Sequence, residues 1–201
     1  MNARPKLRLE QAAATRSALI ATARRMFAER GYHEAGTNEL VAAAGVTRGA
    51  LYHHFRDKEA LFEAVFRDVA GELFIAASMA VAPLGADRWR QLQVGLQTHL
   101  QLIAASTEMQ RILLIDGPAV FGWSRWRELQ SEFSLGALVS SMEDLIANGT
   151  IAPRDPLLAA HLVLAALNEA AFLIAHAEAP PQAGVEAGEA LIAMVTGLRD
   201  H

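Results

Sequence analysis

The sequence predicts an all-α protein of about nine helices, with a small N-terminal domain followed by a larger C-terminal one. Three observations predict it. Apolar residues recur at helical spacing along nearly the whole chain, no stretch alternates as a half-buried strand would, and Gly, Pro and Asn-Gly clusters punctuate the pattern. The 201 residues are 52% apolar and 20% charged, enough to bury a sizeable core and too apolar for a disordered polyampholyte. The chain has no cysteine, which excludes disulfide frameworks, thiolate metal sites and cysteine nucleophiles.

Taken in order, residues 1–14 read as a flexible arm in which Arg4, Lys6 and Arg8 form either a solvated tail or an arm that reaches a polyanion. Leu19, Ile20, Ala23, Met26 and Phe27 stripe a first helix that ends at Gly31. Phe62, Val65, Phe66, Val69 and Leu73 stripe a second long helix; Leu92, Leu96, Leu100 and Ile103 stripe a third. A fourth stripe (Leu135, Leu138, Val139, Met142, Leu145, Ile146) stops near Asn148-Gly149. Asp155-Pro156 reads as a cap with proline at the first helical position, and launches a helix to about residue 178 that Pro180-Pro181 ends. A last helix runs from about Val185 to Arg199, and a further break falls at Asp116-Gly117-Pro118. The most apolar stretch, Leu157 to Ala177, is interrupted by His161, Asn168, Glu169 and His176. It reads as a buried helix rather than a membrane span, and no secretory signal is read at the N-terminus.

Charge is distributed unevenly. Residues 1–58 carry ten Lys/Arg against five acids, a local +5, which leaves −9 for the remainder of a chain whose net charge is −4. The basic front suits a polyanion and the acidic back does not. Within that front, Thr37 to Ala44 reads as a short helix, Gly45 permits the left-handed backbone of a tight turn, and Thr47 caps a second short helix. Leu40, Val41, Val46, Ala50 and Leu51 can supply the buried contact between the two. This is the spacing of a helix-turn-helix. The free side of the second helix then carries Thr47, Arg48, Gly49, Tyr52 and His53. Arg48 can fork onto guanine O6 and N7 or reach a phosphate, and Gly49 lets the backbone approach DNA closely. Thr37 is placed to cap the preceding helix, and Lys58, behind an Asp57 cap, adds a positive charge beside the same surface.

These residues resemble the TetR family of bacterial transcriptional repressors over roughly residues 15–67. The likeness includes the Phe27-to-Tyr32 helix ending, the Gly45-Val46-Thr47 turn, Gly49 to Phe55, and Lys58 to Phe62. Arg48 stands where the family often has lysine, and His54 where it often has tyrosine. The resemblance implies a three-helix DNA-binding domain (15–58) and a helical effector-binding and dimerisation domain (59–201). It implies a homodimer built mainly on the last two helices, which would bind a pseudo-palindromic operator with half-sites roughly 34–36 Å apart. It further implies a cytoplasmic protein, associated with the nucleoid when on its operator. The expected function is repression relieved by a small hydrophobic effector; co-repression and activation remain open, as does a helical binding protein without DNA activity.

For the effector, Trp89, His99, Met109, Phe121, Trp123, Trp126, Phe133, Asn168, Glu169 and Phe172 are the candidates, each weighed against plain core. Glu169 interrupts an apolar helix, so as a buried carboxylate it would bond a ligand, pair with Arg111 or Arg127, or cross a dimer interface. Leu162, Leu167, Leu191, Ile192 and Val195 are the candidate dimer contacts, the alternative being burial within one subunit. No nucleophile elbow, phosphate loop or paired-carboxylate motif is present, so neither enzymatic activity nor a cofactor is expected. No metal site is expected: His53 and His54 leave the helix about 100° apart.

Overall fold

A computed structural model describes the backbone of residues 3–152 and 154–199, and side chains from Glu10 onward within that span. Among the described residues no strand forms; Ile151 and Arg199 make an isolated antiparallel bridge. The helices are α1 (Ala3–Arg30), α2 (Thr37–Ala43), α3 (Arg48–His54), α4 (Lys58–Val81), α5 (Arg88–Ala105), the single turn α6 (Thr107–Met109), α7 (Gly117–Ala147), α8 (Pro156–Ala175) and α9 (Pro180–Thr196). Two compact units divide the chain at Met1–Asp68 and Val69–His201, so the boundary falls inside α4, ten residues later than the sequence places it.

The reason for the later boundary is the apolar face at the start of α4. Leu61, Phe62, Val65 and Phe66 are fully buried, as are Leu19, Ala23, Met26 and Phe27 on α1. Phe27 meets Phe62 edge-on at 5.3 Å between ring centroids, and Tyr32 meets Phe62 at 5.1 Å. Gly31, at φ 84°, closes α1 by donating its N–H to the Phe27 carbonyl at 2.8 Å. Leu40 and Leu51 pin α2 and α3 into the same core. The region expected to be a flexible arm is instead helical from Ala3 and continuous with α1; the side chains of Arg4, Lys6 and Arg8 lie outside the described residues.

In the second unit α5 lies against α8 and α9, and α7 lies against α8. The predicted α5 stripe is the observed one: Leu92, Leu96, Leu100 and Ile103 are buried. The close approach of α9 to α5 depends on Gly184, where a Cβ would stand 2.6 Å from that of Ala104. Asp155 caps α8 by accepting from the N–H groups of Leu157 and Leu158, as read. Three boundaries differ. Pro180 and Pro181 open α9 rather than close α8, because a proline at the first turn sacrifices no helical N–H. Pro118 likewise sits in the first turn of α7, directly after a π-helical segment, Gln110–Asp116. The real interruption is Gly122, at φ 73° and ψ 162°, a conformation essentially reserved for glycine. The wide π turn leaves carbonyls for side-chain donors: the Trp126 indole N–H bonds the Leu113 carbonyl at 2.7 Å.

The helix α8 is apolar enough by length and composition to cross a membrane, yet one face of it is core: Ala160, Val163, Leu164, Leu167, Ala171 and Ile174 are buried within the unit. Leu158, Leu162 and Leu173, on its other side, are 58–63% exposed.

Candidate functional site

The turn between α2 and α3 is built as the sequence requires. Gly45 takes φ 66°, and the Val46 N–H reaches back to the Val41 carbonyl at 3.0 Å. Thr47 is extended, and its Oγ1 accepts from the Ala50 N–H at 3.1 Å, capping α3. With Leu51 and Phe55 buried, the opposite side of α3 must face out. Thr47, Arg48, Gly49 and His53 are exposed there, with Tyr52 43% exposed. The Arg48 guanidinium stacks over the Tyr52 ring at 5.6 Å, one turn along the helix. His53 and His54, expected to diverge, bring their rings to 5.2 Å, edge to face. The described residues contain no cluster of three or more His, Asp or Glu that could hold a metal ion.

Two neighbours differ from expectation in detail. Gly36, not Thr37, holds the capping position of α2: its extended backbone lets its carbonyl accept the first helical bond, from Leu40 at 3.0 Å, and Thr37 becomes the first helical residue. Lys58 follows the expected Asp57 cap, seen in the 2.7 Å bond from the Ala60 N–H to Asp57 Oδ1. Its ammonium stands 4.3 Å from the centre of the Tyr32 ring and donates to the His33 carbonyl at 3.5 Å. Lys58 therefore ties the loop after α1 to the start of α4. The Tyr32 phenol is pushed above its ordinary pKa, first by burial and then by Glu59 and Asp57.

In the second unit, a pocket of about 150 Å³ opens between α4, α5, α7 and α8. Of the ten effector candidates, His99 alone lines it. The sequence reading missed Phe74, Ser78, Leu96, Leu138 and Ser141, which share the lining; the helical stripes hint at the leucines, and nothing marks the serines. The other candidates go elsewhere. Trp126 is wholly buried, and Trp123, 56% exposed, stacks on it at 5.0 Å and on Phe172 at 5.8 Å. The Trp89 ring lies under the Arg199 guanidinium. Met109, Phe121, Phe133 and Asn168 are half-buried outside the pocket lining, Phe133 lying beside Gly71. Glu169 is exposed in the single chain rather than buried on its apolar helix, and Arg111 faces Asp116, at 3.7 Å. Of the candidate dimer contacts, Leu162 is exposed and Ile192 half-buried. Leu167, Leu191 and Val195 are buried within the chain, because they lie on the sides of α8 and α9 that face the rest of the unit.

Comparison with known proteins agrees with this division. The tetR family of bacterial regulatory proteins matches residues 19–65, and the tetracyclin repressor-like C-terminal domain matches residues 89–198, more than half of the chain. A crystal structure of a TetR-family transcriptional regulator from Pectobacterium atrosepticum is 33% identical, with a TM-score of 0.83 over 96% of this chain and 97% of that one. A helix-turn-helix transcriptional repressor of Mycobacterium tuberculosis is 45% identical over 74 residues, 37% of this chain and 40% of the repressor. The probable acrEF/envCD operon repressor of Escherichia coli K12 is 35% identical over 105 residues, 52% of this chain and 48% of that protein. The chain thus spans less than half the length of these two repressors. A capped, outward-facing recognition helix on a helical body defines a helix-turn-helix transcriptional regulator. The chain belongs to the TetR family of bacterial regulatory proteins.

Proposed function

We propose that this protein is a homodimeric repressor that holds a pseudo-palindromic operator and releases it when a small hydrophobic effector enters the C-terminal unit. The observation that carries the reading is α3: Leu51 and Phe55 anchor one side while Arg48, Gly49, Tyr52 and His53 present the other to solvent. In the complex, Arg48 reads a base edge and Thr37, Thr47, Tyr52, His53 and Lys58 hold phosphates. The dimer forms on the exposed side of α8 and α9, where Leu158, Leu162 and Met194 flank a groove of about 470 Å³. The protein works in the cytoplasm, at the nucleoid when on its operator.

The test is a titration of the full chain against DNA flanking its own gene, with footprinting. Two protected major-groove half-sites about one turn apart, lost on substituting Arg48, support the proposal. Absence of any retarded complex with that DNA at low salt overturns it, and a ligand that tightens the footprint reverses the polarity to co-repression.

A further inference from the structure

We infer that the pocket beside His99 takes an uncharged molecule about the size of a single ring, held by a hydroxyl that hydrogen-bonds the His99 imidazole. This rests on reading the C-terminal unit as the effector-binding part and names the chemical class of that effector. Three observations converge on it. The first is size: at about 150 Å³ the pocket matches a cavity that benzene fills. The second is the lining. Phe74, Leu92, Leu96 and Leu138 give it apolar walls, Ser78 and Ser141 give it hydroxyls, and no Lys, Arg, Asp or Glu contributes. A charged ligand would lose its hydration there with no opposite charge to receive it.

The third observation is His99 itself. Its half-buried ring makes no hydrogen bond with any described residue and lines the pocket, so its nitrogens are open to a partner from inside that space. Crowding by surrounding atoms pushes its pKa down to about 4, so at neutral pH it is a neutral imidazole with one N–H donor and one bare nitrogen. A neutral imidazole offers a carboxylate no charge. A hydroxyl suits it, because it can donate to the bare nitrogen or accept from the N–H; Ser78 can donate to it or accept from it, and Ser141, whose own proton goes to the Ala137 carbonyl at 2.9 Å, can accept.

The experiment uses the full-length protein and four probes at neutral pH: phenol, toluene, benzoate and benzylamine. Calorimetric titration should give phenol at least tenfold tighter than toluene, and benzoate and benzylamine at least tenfold weaker than phenol. In His99→Leu, toluene binding should survive and the preference for phenol should vanish; His99→Gln, which keeps a donor and an acceptor, should retain part of it. Imidazole nitrogen NMR of the unsubstituted protein gives a readout independent of variant folding: phenol should shift the His99 resonances and toluene should not. Charged probes binding as tightly as phenol, a phenol preference that survives His99→Leu, or no binding by any probe each overturn the inference. Operator release separates it from the reading beneath it. Phenol bound at His99 without effect on the DNA complex upholds the ligand chemistry and sinks the switch. A charged molecule that binds elsewhere and releases DNA, with phenol unbound, upholds the switch and sinks the ligand chemistry.

Discussion

Arg48 lies over the Tyr52 ring, a contact that preorders the guanidinium and, on the proposed function, readies it for DNA. Removing it as Arg48→Ala should weaken operator binding by about 1–3 kcal/mol while affecting a scrambled duplex less; a quantitative gel shift against both duplexes checks this, and equal losses would make Arg48 a phosphate contact. Arg48→Lys keeps the charge without the fork, so it should retain nonspecific affinity and lose discrimination. His99 ties stability to pH. Its folded-state pKa of about 4 lies below the ordinary 6.5. Above pH 6.5 both folded and unfolded forms are neutral there and its full contribution is present. As pH falls from 6.5 to 4 the unfolded chain takes up a proton that the folded one refuses, and up to about 3 kcal/mol is lost. Urea denaturation of His99→Leu across that range should show a flatter decline than the unsubstituted protein. At this scale the exposed side of α3 was legible and the pocket was not. Thr47, Arg48 and Tyr52 are read from one contiguous segment whose capping and periodicity fix the exposed side. Phe74, His99, Ser141 and Leu167 come from four helices, and which of their side chains share a space is set by packing that no local pattern encodes.

Helix boundaries depend on a few residues whose backbone has little choice. Gly122→Ala forces a side chain into φ 73°, ψ 162°, which should cost about 1–3 kcal/mol and lower the melting temperature. Gly184→Ala puts a Cβ 2.6 Å from that of Ala104, an anchored atom that cannot swing aside, so α9 must lift from α5. Gly136→Ala, with nothing within 4 Å of the added atom, should instead stabilise α7 by up to about 1 kcal/mol. Thermal unfolding of the three variants should therefore order Gly136→Ala above the unsubstituted protein and both others below it. The same positions explain where sequence reading of the elements succeeded. Asp155, Asp57 and Thr47 are caps whose side chains act locally, and all three were read correctly. Pro118 and Pro181 signal only that a helix does not run through them. Whether each closes one helix or opens the next is decided by the neighbouring segment, here a π turn and the short link after His176.

For the molecule as a whole, charge is divided as the fold is: the first 58 residues carry +5 and contain α3, and the acidic remainder contains the pocket. Which side of α8 is core was legible only in part, because so apolar a helix does not announce which side faces its own chain. Leu158→Asp with Leu162→Asp should yield a monomer by sedimentation and abolish operator binding while leaving the helical circular dichroism unchanged. Operator affinity should fall as a power of salt concentration, with a log–log slope of about −0.9 for each phosphate neutralised. The uncharged pocket lining sets the opposite behaviour at the other site. With no fixed ions to screen, the grip on a neutral guest should barely change as potassium chloride is raised. On the proposed function, a rise in salt inside the cell would loosen the hold on the operator while leaving the grip on the guest untouched, so salt and guest would act as independent inputs to one output.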